Sequence, residues 1–318
     1  MTVRLPTPSA PLKIGTRGSP LALAQAHETR RRLSAAFDLP DAAFEICVIK
    51  VTGDDRSMIA ADRPLKEIGN KGLFTREIEE ALLDGSIDIA VHSMKDMPTV
   101  QPDGLILETY LPREDVRDAF VSPTLASLSD LAQGATVGTS SLRRRAQLLH
   151  KRPDLNVVEF RGNVQTRLQK LADGVADCTF LACAGLNRLG MADVPATPIE
   201  TTDMLPAVAQ GAIGIERRQN DTNTAEMLDA IHDTPTGHRL AAERQFLFTL
   251  DGSCETPIAA TSTIDAGTLT LHGEVLRPDG SDALSGTRTG PVADGRDMGT
   301  DLARDLLQRA GKGFFDWH

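Results

Sequence analysis

Short apolar runs alternate with helix-period segments along most of the chain, a pattern that predicts an α/β fold. Leu12-Lys13-Ile14-Gly15-Thr16 reads as a strand and Arg17-Gly18 as the turn after it. Ser19 is placed to cap a helix with Pro20 at its first position, and the helical pattern continues to about Ala36. Residues 44–52 predict a second strand. Phe74, Ile78 and Leu82, spaced by four, mark an amphipathic helix closed by Gly85. Ile87-Asp88-Ile89-Ala90-Val91 reads as a buried strand that stops at His92-Ser93, and Pro98 bars a regular continuation. Lys95 and Asp96 therefore fall just past a strand's carboxyl end, where open α/β sheets bind ligands. A further strand covers Leu105 to Thr109, and REDVRDAFVS reads as the chain leaving this unit.

The plan then recurs. Thr136 to Thr139 is a strand, Ser140-Ser141 a helix start, and LRRRAQLL the helix. Strand 157–160, helix VQTRLQKLADG and a strand through CTFLACAGL complete a second unit. A strand leading through a tight turn into a capped helix is an anion-binding arrangement, and two such units predict two lobes around a cleft. LPAVAQGAIGIE, an apolar run with glycines, could cross back to the first lobe. Residues 221–250 read as helical, TLTLHGEVL as strand and MGTDLARDLLQRAG as a final helix, a small α+β third domain. Residues 1–11 read as a disordered lead-in.

Composition sharpens this picture in one region. A length of 318 residues suggests two or three domains, and 41% apolar with 4% aromatic residues predicts aliphatic cores. A net charge of -10 argues against nucleic-acid binding by the surface at large. Yet Val137 to Lys170 holds eight Lys/Arg and two acids. Arg143 and Arg144 occupy the first turn of a helix, where the dipole disfavours cations unless an anion neutralises them. That placement suits a carboxylate or phosphate ligand, which arginine holds in bidentate fashion. Arg161 precedes Gly162 as Arg17 precedes Gly18. Arg145, Lys151, Arg152 and Lys170 are expected on a solvated face.

The four cysteines have neither zinc-ligand spacing nor a disulfide framework, and no metal site is expected. Cys47, Cys178 and Cys183 lie in apolar runs and read as core thiols, whereas Cys254 lies in the polar loop Asp251 to Pro257. No apolar run reaches the ~18 residues of a membrane span, and the amino terminus lacks an apolar signal region. A cytoplasmic enzyme or binding protein is the expectation, without a membrane or nucleic-acid partner.

GTRGSPLALAQ, KGLF, DIAVHSMKD, VGTSSLRR, RGNV-x-TRL, LACAGLNRLG, LPAVAQGAIGIE and DGSCETPIA occur in that order. Together they resemble the porphobilinogen deaminase, or hydroxymethylbilane synthase, family. The resemblance implies two lobes like those of type II periplasmic binding proteins plus a small α+β carboxyl-terminal domain. The implied boundaries are 1–111 plus 212–231, 112–211 and 232–318. It implies a transferase of tetrapyrrole biosynthesis that joins four porphobilinogen molecules head to tail, releases ammonia and gives hydroxymethylbilane. The chain would grow on a dipyrromethane cofactor held by a thioether to Cys254, with Asp96 as the catalytic carboxylate. By residue match, Lys95, Thr139, Ser141, Arg143, Arg144 and Arg167 would hold the cofactor. Arg17, Ser19, Gln25, Arg161 and Arg188 would bind substrate, and Phe74 would either pack on a pyrrole ring or serve as a core residue of its helix. The resemblance further implies a monomer that passes its product to the next tetrapyrrole enzyme. Glu67 stands where many relatives carry lysine, and Ala209 where glycine is frequent. The rival reading is a non-catalytic two-lobed binding protein for a small dianion, which would need neither Asp96 nor a loop thiol.

Overall fold

The computed structural model describes residues 3–52, 75–252, 256–311 and 313–315. Phe74, Glu67 and Cys254, singled out above, lie outside the described residues. The described chain divides into two compact units, one of residues 3–52, 75–114 and 212–237, the other of 115–211 and the described residues from 238 on.

In the first unit, β1 (Leu12–Arg17) leads into α1 (Pro20–Phe37). Ser19 caps α1 by accepting from the Ala22 amide at 3.3 Å, with Pro20 at the first position as its sequence demands. β2 (Phe44–Ile49), α2 (Arg76–Leu83), β3 (Ile89–Ser93) and β4 (Leu105–Tyr110) follow. Gly85 closes α2 at φ 79°, its amide reaching the Leu82 carbonyl. The sheet has the order β2-β1-β3-β10-β4, where β10 (Ile213–Arg218) returns antiparallel to both neighbours. Alternation along the strands separates two faces. Leu12, Ile14, Ile89, Val91, Ile213 and Ile215 pack with Ala26 and Leu33 of α1. Ile87, Ala90 and Leu105 pack with Ile78 and Leu82 of α2 on the other.

The amino-terminal segment corrects an expectation. From Val3 on it is ordered, with Asn223 of α6 (Thr222–Asp229) bonded to both the amide and the carbonyl of Arg4 and a bridge between Thr7 and Ala10.

The second unit repeats the plan. β6 (Thr136–Gly138), α3 (Leu142–Lys151), β7 (Asn156–Val158), α4 (Val164–Ala172) and β8 (Cys178–Ala182) give a parallel β7-β6-β8 core. β5 (Asp118–Val121) and β9 (Ala196–Pro198) extend it to the order β7-β6-β8-β5-β9. The run CTFLACAGL is not one strand: after Ala182 it turns into the short helix α5 (Cys183–Arg188). Both faces of β8 are buried, so its apolar run carries no alternation to mark the end. β5 escaped the sequence reading because it is only four residues long and begins with the charged Asp118.

The remainder of this unit is α7 (Thr234–Thr249), the antiparallel sheet β11 (Ile258–Asp265), β12 (Thr268–Leu276) and β13 (Ala283–Pro291), and α8 (Gly295–Ala310). Leu269, Leu271, Leu302, Leu306 and Phe246 are buried there. The three segments thus form two α/β sheets of matching strand order and a smaller α+β part. No described helix is long and apolar enough to cross a membrane.

Candidate active site

In the first unit β1 and β3 run parallel, so Arg17, Ser19 and the residues after Ser93 lie at one carboxyl edge of the sheet. Lys95 and Asp96 occupy a single 3-10 turn, Met94–Asp96, both half-buried. Three contacts fix that turn. The Met94 amide donates to the Ala212 carbonyl at 3.0 Å. The buried Met94 side chain fills the place a side chain of Gly214 would take, since a Cβ built on Gly214 collides with Met94 Sδ. Ser93, the preceding residue, exchanges hydrogen bonds with the Gln25 amide of α1, Nε2 donating at 2.8 Å and Oε1 accepting at 3.1 Å. Gln25 is 3% exposed and holds the end of β3, just before the turn that carries Asp96.

In the second unit Thr139, Ser141 and Arg161 follow the carboxyl ends of β6 and β7. The Ser141 hydroxyl caps α3 by accepting from the Arg144 amide at 3.4 Å, and Thr139 Oγ1 accepts from the Ser141 amide at 3.2 Å. Asn163 caps α4, and Arg167 Nε donates to the Gly162 carbonyl at 2.9 Å. Arg161 is buried, and Arg188, at the end of α5, donates to the Gly211 carbonyl at 2.9 Å.

Arg143 and Arg144 require a correction. The cationic helix start carries its own anion, Asp118 of β5, where a bound ligand was expected. Arg143 Nη1 donates to Asp118 Oδ2 at 2.7 Å and to the Leu205 carbonyl at 2.9 Å. Arg144 donates from Nη2 and Nε to Asp118 Oδ1 and from Nη1 to the Phe180 carbonyl. Gln210 Nε2 adds a fourth donor to Asp118, at 2.9 Å. Burial alone would raise the Asp118 carboxyl, but the charges and hydrogen bonds of Arg143 and Arg144 overcome it and hold the group well below its ordinary range. Arg144 is thereby committed to the chain itself. Arg143 is not fully committed: its Nε is buried without a partner among the described residues. Asp118 is one carboxylate against two guanidiniums, and even with Glu274 near Arg143 this arginine-rich helix start suits a polycarboxylate ligand such as a dipyrromethane.

The thiols divide equally clearly. Burial pushes Cys178 up to about 12 and Cys183 up to about 11, and it raises Cys47 on β2 as well. None of these is primed as a thiolate nucleophile. Among the described residues no group of three His, Cys, Asp or Glu could hold a metal ion. Of the residues expected on a solvated face, Arg152 pairs with Asp154 and Lys170 lies over the Phe160 ring at 5.7 Å.

Asp118, Gln210, His92 and Glu216 went unnoticed in the sequence. The signal was present for Asp118 and Glu216, acids inside short apolar strands, which a folded chain retains only when paired. A separate cavity of about 240 Å³ between α3 and β12, lined by His150, Lys151 and Glu274 among others, holds none of the expected site residues.

Two family models cover most of the chain. "Porphobilinogen deaminase, dipyromethane cofactor binding domain" matches residues 12–226, and "Porphobilinogen deaminase, C-terminal domain" matches 238–308. Porphobilinogen deaminase of Paracoccus denitrificans is 63% identical over 314 residues, spanning 99% of each protein. The chloroplastic porphobilinogen deaminase of Oryza sativa is 52% identical over 96% of this chain and 86% of its own. A periplasmic substrate-binding protein of an ABC transporter from Coxiella burnetii is 15% identical over 73% of this chain and 96% of that one, at a TM-score of 0.41, too low to add to the fold argument. Matched over both of its domain models and at this identity, the chain belongs to the porphobilinogen deaminase family.

Proposed function

We propose that the chain works as a hydroxymethylbilane synthase with Asp96 as its reacting carboxylate and Cys254 as the anchor of its dipyrromethane cofactor. Family membership carries the reaction: a transferase joins four porphobilinogen molecules with loss of four ammonia molecules, and water releases the chain as hydroxymethylbilane. The bound cofactor supplies the free pyrrole α-position on which the product grows. The residues of this chain supply charge and position. Asp96 is set on a turn held from both sides of its sheet, as a carboxylate facing a developing cation requires. Loss of ammonia leaves the substrate pyrrole cationic at its ring nitrogen, and Asp96 stabilises that charge through the ring N–H. The same carboxylate takes the ring α-proton after the carbon–carbon bond forms. Lys95, Arg17, Arg161, Arg167 and Arg188, with the hydroxyls of Ser19, Thr139 and Ser141, serve the acetate and propionate groups. Arg143 contributes its charge to the same task, with Arg144 as its buried support. Cys254 is favoured as the anchor because burial disfavours the thiolate at each of the other cysteines. The two α/β sheets act as lobes of the type II binding-protein kind. The protein works as a cytoplasmic monomer and delivers its product to the next tetrapyrrole enzyme.

The test is steady-state turnover of porphobilinogen by Asp96→Asn. Nearly abolished turnover, with the cofactor still attached and the fold intact, supports the assignment. Near-normal turnover removes Asp96 from the mechanism.

A further inference from the structure

The face of the first sheet that packs on α2 buries an ionisable pair beside its apolar residues. His92 Nε2 and Glu216 Oε2 lie 3.0 Å apart, with the two residues 6% and 0% exposed. Glu79, on the α2 face that also presents Ile78 and Leu82, stands beside them. Its carboxyl is raised by burial and by the charge of Glu216. Glu216 Oε1 is buried without a hydrogen-bond partner among the described residues. Stability does not account for such a cluster, since burying ionisable groups is costly and well-packed apolar residues would serve as well or better. What buried polar groups do supply is a fixed register.

The register here matters to the chemistry. His92 stands opposite Gly214, and Glu216 opposite Ala90, so the His92–Glu216 link runs diagonally between β3 and β10. A slip of β3 along β10 by two residues would keep every side chain on its own face, yet it breaks this link. Two residues beyond His92 the 3-10 turn with Lys95 and Asp96 begins. The Ser93–Gln25 bond holds the opposite face of the same strand end. We propose that His92 and Glu216 are positioning residues that set where β3 ends and hence where the Asp96 carboxylate stands. The inference rests on the assignment of Asp96 given above.

The test uses holoenzyme whose cofactor is verified by intact mass. His92→Leu, which breaks the link, is expected to lower kcat by about 10–100-fold, the scale of an ångström-level misplacement, with KM for porphobilinogen within about twofold. His92→Gln, which keeps a donor near the Nε2 position, is expected to recover most of that loss. In an Asp96→Glu background, where the carboxylate is already displaced, His92→Leu is expected to cost less than about threefold more. A kcat loss that merely follows the fraction of folded protein, or one that multiplies fully with Asp96→Glu, would overturn the proposal. If His92→Leu does not fold, Glu216→Gln, which keeps the shape, carries the same comparisons. Abolished turnover in Asp96→Asn alongside normal kcat in His92→Leu would remove this inference alone. Near-normal turnover in Asp96→Asn would remove the reading beneath it as well.

Discussion

Asp118 is the group whose loss the second unit should feel most. It is fully buried and faces two buried guanidiniums, accepting from Arg143 Nη1 and Arg144 Nη2, both at 2.7 Å, from Arg144 Nε at 3.2 Å and from Gln210 at 2.9 Å. Asp118→Asn preserves volume but removes the carboxylate that is hydrogen-bonded to two buried cations and turns an amide N–H toward one of them. Removing one partner of a buried ion pair costs about 3–5 kcal/mol, because the other charge stays buried without compensation. For a unit of this size each kcal/mol lowers Tm by about 2–4 °C, so a loss near 4 kcal/mol predicts a fall of about 8–16 °C. The pH dependence follows from the depressed carboxyl. Asp118 contributes its full stabilisation above the unfolded value of about 3.9 and loses it only as pH falls through its lower folded value. The penalty should therefore be the same at pH 7 and pH 5. Calorimetric unfolding of the parent and of Asp118→Asn at those two pH values measures it. A second variant, Asp118→Asn with Arg143→Met, removes one cation together with the anion and should lose less than the sum of the single losses. A Tm within about 2 °C of the parent, or strictly additive losses, would refute the account of this cluster.

Three further outcomes follow from particular residues. Ala209 sits at φ 60°, in the left-handed region, with its amide bonded to the buried Glu243 carboxylate at 2.9 Å. Ala209→Gly should relieve about 1 kcal/mol of strain, read as a higher urea midpoint at unchanged m-value; a lower midpoint contradicts it. Gly214→Ala should drive the Met94 side chain from its seat and lower kcat while the protein still folds, whereas normal kcat would show that Met94 does not hold the turn. Burial raises the Glu274 carboxyl, with His150, Lys151 and Arg143 offsetting part of the effect, so its folded value lies above its unfolded one. Stability then falls as pH rises through that window, and Glu274→Gln should raise Tm at pH 7 but not below about pH 4. A pH-independent Tm difference would contradict it.

The alternation of apolar and polar positions made most elements legible, because β1, α1 and α2 each have one buried side and one wetter side. Where both sides are buried the pattern failed: β8 hid its end, and α5 was absorbed into the strand before it. β5 and β9 are only four and three residues long, too short for a period to register. The Asp96 turn was readable from a strand that stops before a proline. The arginines were readable as an anion site, but the anion nearest them is Asp118, 25 residues before Arg143, which only the β5–β8 pairing brings into reach. Gln25 shows the same limit, since its partner Ser93 lies 68 residues away.

The most direct test of the central claim is the denaturing intact mass of the purified protein, with Cys254→Ala measured beside it. The account predicts an added mass of two linked pyrrole units on the parent, present as isolated or formed on adding porphobilinogen, and none on Cys254→Ala. A parent that stays unmodified even with porphobilinogen, or an adduct that survives Cys254→Ala, would contradict it.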